Sequence, residues 1–168
     1  MIAKLVVEGK EFDIEILNPK LQELIAPKKK TGYERVEHGK NFYHTSHSGH
    51  WITQDEDVGG AYSNDFYSAA NYYSSQELAQ NNARADKLMR QLRRFAVEHR
   101  KNELDWSNHD QRKFYIGFDC KREGVDVECD TDYITSQTVY CDSYGSAEDA
   151  IFVFATELKW YFTEYKDS

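Results

Sequence analysis

The sequence predicts an α+β fold: two β-hairpin/sheet-plus-helix units in pseudo-repeat, preceded by a small N-terminal hairpin-helix module. Three observations lead there. The segment Asn71-Tyr72-Tyr73-Ser74-Ser75-Gln76-Glu77-Leu78-Ala79 is loosely echoed by Val139-Tyr140-Cys141-Asp142-Ser143-Tyr144-Gly145-Ser146-Ala147, and each copy closes a β-rich stretch and opens a helical one. An aromatic strand signal lies upstream of each copy, Asn41-Phe42-Tyr43 in one half and Lys113-Phe114-Tyr115-Ile116 in the other. The 168 residues are 40% apolar and 14% aromatic, enough for one core and rich in rings that pack on a pleated, half-buried surface. Aligning the helix starts gives an offset of 68 residues and aligning Phe42 with Phe114 gives 72, so the loops are expected to differ by four residues.

Residues 2–7 and 11–17 alternate in hydropathy around Glu8-Gly9-Lys10, whose glycine suits a tight turn, and form a hairpin. Asn18 caps and Pro19 begins a short helix that Pro27 stops. Residues 1–29 thus make the N-terminal module. The charged stretch Pro27-Lys28-Lys29-Lys30-Thr31-Gly32 links it to a main domain, residues 30–168, with units at about 33–101 and 106–165. In the first unit, Phe42-Tyr43-His44-Thr45 and His50-Trp51-Ile52-Thr53 are strands around His47-Ser48-Gly49, followed by an acidic loop, Asp55-Glu56-Asp57-Val58-Gly59-Gly60. Ser74 or Ser75 caps a long helix to about Lys101, Glu77 completing a capping box from Ser74. Its apolar positions Leu78, Ala85, Leu88, Met89, Leu92, Phe95 and Ala96 share the core face, opposite Lys87, Arg90, Arg94 and Lys101.

Trp106-Ser107-Asn108 marks the turn into the second unit, with strands near 113–119, 124–130 and 133–141 and a turn at Lys121-Arg122-Glu123-Gly124. One closing helix runs from Ser143 or Ser146 to Glu164. Phe152, Val153 and Trp160 fall off its apolar stripe and need a second packing partner: the N-terminal module, the sister helix or another subunit.

Composition narrows the function. A net charge of −8 argues against a nucleic-acid binder that uses its whole surface, because phosphate counterions must be displaced by cations. The charge is uneven: seven cations between Arg84 and Lys101 face only Asp86 and Glu98, an excess of +5 that leaves −13 on the rest of the chain. Three cysteines without CxxC spacing fit reduced, structural thiols better than a disulfide framework. No apolar run reaches the length of a signal peptide or membrane span, so the expected location is the cytosol of whatever cell makes the protein, with no membrane partner. GxSxG, P-loop, GxGxxG and HExxH patterns are missing, so the chain is expected to be non-enzymatic and to need no cofactor.

Two constellations stand out. His44, His47 and His50 are the nearest approach to a metal-ligand set, which Asp55 and Asp57 would complete; a plain polar hairpin tip is the competing reading. Asp55, Glu56, Asp57 and Asp65 form one acidic group. Asp126, Glu128, Asp130 and Asp132, at spacing two along a strand, form another that points to one side. These carboxylates are either a solvated sheet face or a surface that competes with phosphates for a basic partner groove. Tyr62 and Tyr67 lie close by as aromatic anchors.

The chain also carries a family resemblance. Lys30-Thr31-Gly32-Tyr33-Glu34-Arg35-Val36, Phe42-Tyr43 with Gly49, the segment from Asn71 to Ala79, Trp106-Ser107-Asn108, Lys113-Phe114-Tyr115-Ile116 and Glu157-Leu158-Lys159-Trp160-Tyr161-Phe162 resemble the small accessory proteins recurrent in phages and prophages of low-GC Gram-positive bacteria. The likeness spans most of residues 30–162. It breaks at His44-Thr45-Ser46-His47, where an Asp-containing turn is usual, and at Ala70, where Gly is usual. The resemblance implies a phage-borne gene outside the replication and capsid machinery, and some such genes encode inhibitors of bacterial immunity. The expectation is therefore a protein that binds a host protein, an anti-CRISPR-like inhibitor presenting Asp55, Glu56, Asp57, Tyr62, Asp65, Tyr67, Asp126, Glu128, Asp130 and Asp132 to the basic nucleic-acid groove of a CRISPR effector nuclease. The alternatives are a regulatory protein touching nucleic acid through the basic helix at 84–101, and a metal-dependent hydrolase on the histidine hairpin. A homodimer is compatible with each.

Overall fold

The computed structural model describes residues 2–7, 10–15, 30–46, 49, 51–135 and 138–165. The chain divides into two compact units, Met1–Thr31 and Gly32–Ser168. In the first, β1 (Ile2–Val7) and β2 (Lys10–Glu15) pair antiparallel with Val7 opposite Lys10, and Lys4 reaches Glu11 across the ladder. The helix expected after Asn18 lies outside the described residues.

The second unit repeats one arrangement twice, as an α+β fold. β3 (Asn41–Thr45) pairs with β4 (Ile52–Glu56) on one side and bridges from Tyr43 to Tyr73 on the other, just before helix α2 (Gln76–Glu98). β5 (Lys113–Asp119) pairs with β6 (Gly124–Asp130) and with the short β7 (Tyr140–Cys141), just before helix α3 (Tyr144–Val153). All pairings are antiparallel. Ser75 and Ser143 hold equivalent N-cap positions, each hydroxyl accepting from the backbone N–H three residues on, Leu78 at 3.4 Å and Ser146 at 3.2 Å. With the cap at Ser75, the third residue on is Leu78, so the capping box expected from Ser74 and Glu77 does not form. Four residues past each cap, Ala79 and Ala147 are fully buried, small enough to bring helix against sheet.

The strand pairings Tyr43–Tyr73 and Phe114–Cys141 correct the expected offset. The strands are displaced by 71 residues and the caps by 68, so the loops differ by three residues and Phe42 corresponds to Lys113. Both side chains are 0% exposed. Phe42 stacks on Tyr72 with centroids 4.3 Å apart. Lys113 lays its Nζ 5.1 Å from the Trp106 ring centroid and donates to the carbonyls of Asn108 (2.8 Å) and Thr131 (3.3 Å).

Helix α2 is the wall shared by both halves. Leu78 and Ala79 pack with Tyr73 at its start, Leu88, Leu92 and Phe95 with Ala150 and Leu158 in the middle, and Ala96 with Cys141 and Ala147 near its end. Four elements depart from the sequence reading. Of the strand expected near 133–141, only Tyr140 and Cys141 are extended into the sheet among the described residues. Asp55 and Glu56 belong to β4 and do not open a loop. Helix α1 (Ala61–Ser68) occupies a stretch with no apolar periodicity, burying Ser63 and half-burying Phe66. The closing helix breaks at Phe154 (φ −107°, ψ 18°) into α3 and α4 (Ala155–Thr163). The break sets Phe154 edge-on to Phe95 at 5.7 Å and leaves Phe152 86% exposed. Trp160 finds its partner on α2: the Arg84 guanidinium sits 3.9 Å from the ring centroid and forks onto Glu157 at 2.7 and 3.1 Å.

Ala70 has φ +54° just after α1. A Cβ in this left-handed region meets its own backbone, a strain that glycine avoids. Ala70→Gly is expected to stabilise the protein by about 1 kcal/mol, read as a higher urea midpoint at unchanged slope; an unchanged or lower midpoint would contradict that strain.

Candidate protein-binding surface

The acids and tyrosines expected to meet a partner fall in different halves of the second unit, one group on β4, the turn after it and α1, the other on β6 and just beyond it. In the first half, the chain leaves β4 at Glu56, turns through Asp57 and enters α1 at Gly60. Gly59 (φ +70°) permits the turn and donates its N–H to Asp57 Oδ1 at 2.8 Å. Asp57 is 1% exposed and therefore not a contact residue. Arg35 Nε and Nη2 fork onto its two oxygens at 2.7 and 3.0 Å, and the Tyr72 hydroxyl donates to Oδ2 at 2.8 Å. The same guanidinium donates to Asn64 Oδ1 (2.6 Å) and Ser63 Oγ (3.1 Å), tying α1 to the extended segment before β3. The Arg35 guanidinium holds the Asp57 carboxyl well below the usual carboxylate range, while burial pushes the Tyr72 phenol up to about 12.

Around this buried pair sit the tyrosines. At 100° per residue, Ser63 and Phe66 point inward, and Tyr62 and Tyr67 flank them on either side of α1. Tyr62 is 57% exposed, yet its hydroxyl donates to Asp55 Oδ2 at 3.1 Å and its ring meets Phe66 edge-on at 5.0 Å. Tyr67 is 46% exposed, edge-on to Tyr72 at 5.4 Å and 5.7 Å from the Arg35 guanidinium. Asp65 on α1 and Glu56 at the end of β4 are the exposed carboxylates of this surface.

The histidine hairpin takes another form than a metal set. His44 is buried at 4% exposure, stacked on Phe66 at 3.9 Å, with Nε2 2.7 Å from Asp55 Oδ2 and Nδ1 3.2 Å from the Thr45 carbonyl. Both ring nitrogens are thus engaged within the protein, and Asp55 is committed to His44 and Tyr62. His47 and His50 lie outside the described residues. Among the described residues, no three His, Cys, Asp or Glu side chains converge in a way that would hold a metal ion.

The second acidic group is largely spent on its own fold. Val125 and Val127 of β6 pack on the core, which leaves Asp126, Glu128 and Asp130 on the other face. Asp132 lies beyond the strand, so four carboxylates in one row is corrected to three. Asp126 pairs with Arg122 at 2.8 Å. Asp130 Oδ1 accepts the N–H groups of Thr131, Asp132 and Tyr133, closing the turn, and these bonds lower its pKa. Asp132 pairs with His109 at 2.7 Å, which lowers its pKa too. Glu128 is exposed and lays its stem over Gly117, where a Cβ would come within 2.8 Å of its Cγ. Of the thiols, Cys120 and Cys129 are exposed and Cys141 is buried; burial pushes the Cys141 thiol up, away from nucleophilic activation.

Arg35, Asn64 and Tyr72 organise this surface and carried no role in the sequence reading. The linear hints are the block from Lys30 to Val36, which places an arginine in an otherwise unpatterned extended segment, and the segment from Asn71 to Ala79, which holds Tyr72. No protein-family model, curated protein or solved structure matches the chain. Among the described residues, no helix is long and apolar enough to cross a membrane.

Asp57→Ala leaves Arg35 and Tyr72 without their acceptor in a buried site and is expected to cost about 3 kcal/mol, measured by urea denaturation at neutral pH. A depressed folded-state pKa gives stability that is complete above the unfolded value of about 3.9 and drains as pH falls through the lower, folded value. Below about pH 4, the native protein is therefore expected to lose stability more steeply than Asp57→Asn; parallel acid-denaturation curves would refute the linkage.

Proposed function

We propose that this chain acts as a binding protein, without catalysis, and that its contact surface is α1 with Tyr62 and Tyr67 on its flanks and Glu56 and Asp65 beside them. The observation that carries this reading is the state of the two tyrosines. Each exposes about half its surface while its hydroxyl or ring is held by Asp55, Phe66, Tyr72 or Arg35. Aromatic anchors fixed before contact lose little conformational entropy on binding, the usual condition of an interface hot spot. A short helix flanked by anchors suits a groove, and the nearby carboxylates suit a basic one.

The partner that fits this chemistry is a host protein with a basic nucleic-acid groove. The resemblance to phage accessory proteins makes an effector nuclease of bacterial immunity the class to examine, with the chain as its inhibitor in the host cytosol. Asp126, Asp130 and Asp132 contribute little to this reading, being held by Arg122, the backbone of their own turn and His109 respectively.

Binding to a panel of purified CRISPR effector nucleases by biolayer interferometry tests it. Tyr62→Ala and Tyr67→Ala are each expected to weaken the complex at least about 30-fold, the scale of a hot-spot residue. Glu56→Lys with Asp65→Lys is expected to slow association and flatten its salt dependence. Wild-type binding that none of these variants alters would exclude this surface, and no binding to any effector would exclude the partner class.

A further inference from the structure

We propose that the cavity between helix α2 and the C-terminal end of α4 is a binding site for a nucleoside phosphate carrying an amino-bearing base. The cavity holds about 540 Å³, within the range of small-molecule sites. Its cationic wall is Arg90 and Arg93, one turn apart on α2 and both exposed. Other arginines of this helix are committed elsewhere, Arg84 to Glu157 and Trp160, and Arg94 to Glu98 at 3.8 Å. Among the described residues, Arg90 and Arg93 have no carboxylate within ion-pair distance. In a chain of net charge −8, two such guanidiniums on one concave wall focus a positive potential there.

The opposite wall is aromatic. Tyr161 and Tyr165 stack with centroids 5.4 Å apart and planes 11° from parallel. The rim is fixed by Asn82, whose Oδ1 accepts the hydroxyls of Tyr165 (3.0 Å) and Tyr33 (3.2 Å) while its Nδ2 donates to the Leu78 carbonyl (3.0 Å). Gly49 (φ +67°) lies against the Arg90 guanidinium, since a Cβ there would come within 2.5 Å of its Nη2. A rigid aromatic face beside paired cations is the chemistry that takes a stacked base with its phosphate.

Asp86 refines the ligand. It lines the same cavity and would repel a phosphate placed beside it, so the phosphate belongs at the Arg90 and Arg93 end. Asp86 and Arg93 are about 10 Å apart along the helix at 1.5 Å per residue, comparable to a nucleotide from base edge to 5′-phosphate. A carboxylate at the base edge accepts from an exocyclic amino group, as on guanine, adenine or cytosine, and finds no such donor on uracil. None of these residues belongs to the α1 surface, so this site and the protein-binding reading stand or fall separately.

Isothermal titration of the full chain with GMP, AMP, CMP, UMP, inorganic phosphate, phosphotyrosine and a 5′-phosphorylated single-stranded oligonucleotide tests the proposal. Saturable binding of GMP, AMP or CMP is expected, tighter than UMP and phosphate. Arg90→Ala and Arg93→Ala should each weaken it about tenfold or more, as loss of a charge-assisted bond does, and Tyr161→Leu should weaken it while phosphate binding is unchanged. Tighter binding of the oligonucleotide assigns the site to a strand end, and equal or weaker binding to a free nucleotide; both uphold it. Three results would overturn it: no saturable nucleotide binding at millimolar concentration, affinity unchanged in a folded Arg90→Ala/Arg93→Ala variant, or phosphotyrosine or phosphate bound as tightly as any nucleotide.

Discussion

The constraint on which residues 32–165 depend is that one helix must close two sheets. Each hairpin is short, and a two-stranded ladder alone is marginal in water. Helix α2, 23 residues long, runs about 34 Å, and along that length it meets β3 and β4 at its start, α4 from Arg84 to Leu92, and α3 and β7 toward its end. Its alanines matter as much as its leucines. Ala79 and Ala96 lie where sheet or helix comes close, and Ala147 answers from α3. A larger side chain at any of them would push one sheet away from the shared wall, and overpacked cores lose that contact at a cost of about 1–3 kcal/mol.

The α1 surface is held by a different physics. Its inward side offers only Ser63 and the half-buried Phe66, too little apolar area to fix an eight-residue helix. Polar bonds replace the missing packing: Arg35 reaches Asp57, Asn64 and Ser63 at once, and Tyr72 joins the same carboxylate to the strand that leads into α2. The exposed tyrosines thus sit on an element whose position is set by charge, while the rest of the core is set by area.

This division explains what the sequence made legible. The caps, the face of α2 and the echo of two halves were readable because they are local: a serine, then an alanine four residues on, then leucines at helical spacing. Helix α1 was not, because its stability comes from Arg35, more than 25 residues upstream. A separation of 22 residues from Arg35 likewise hid the fate of Asp57, which reads as one acid among several until its partner is placed beside it. The break at Phe154 has no Pro or Gly to announce it; it arises from the ring turning toward Phe95, a contact between residues 59 positions apart. The carboxylates of β6 alternate as expected, but turn geometry and nearby cations, invisible in the spacing, consume most of them.

The pairing of Phe42 with Lys113 has a consequence for how the two halves relate. Phe42 needs a flat ring beneath it and nothing more. Lys113 needs a cage, because a buried ammonium must find acceptors for its hydrogens, and that cage is assembled from the Asn108 and Thr131 carbonyls and the Trp106 face. An exchange of these two hairpins would bury a cation against Tyr72 in one place and leave two carbonyls without a donor in the other. The halves share a plan yet are no longer interchangeable parts, and recombination between them is closed off at a single buried position.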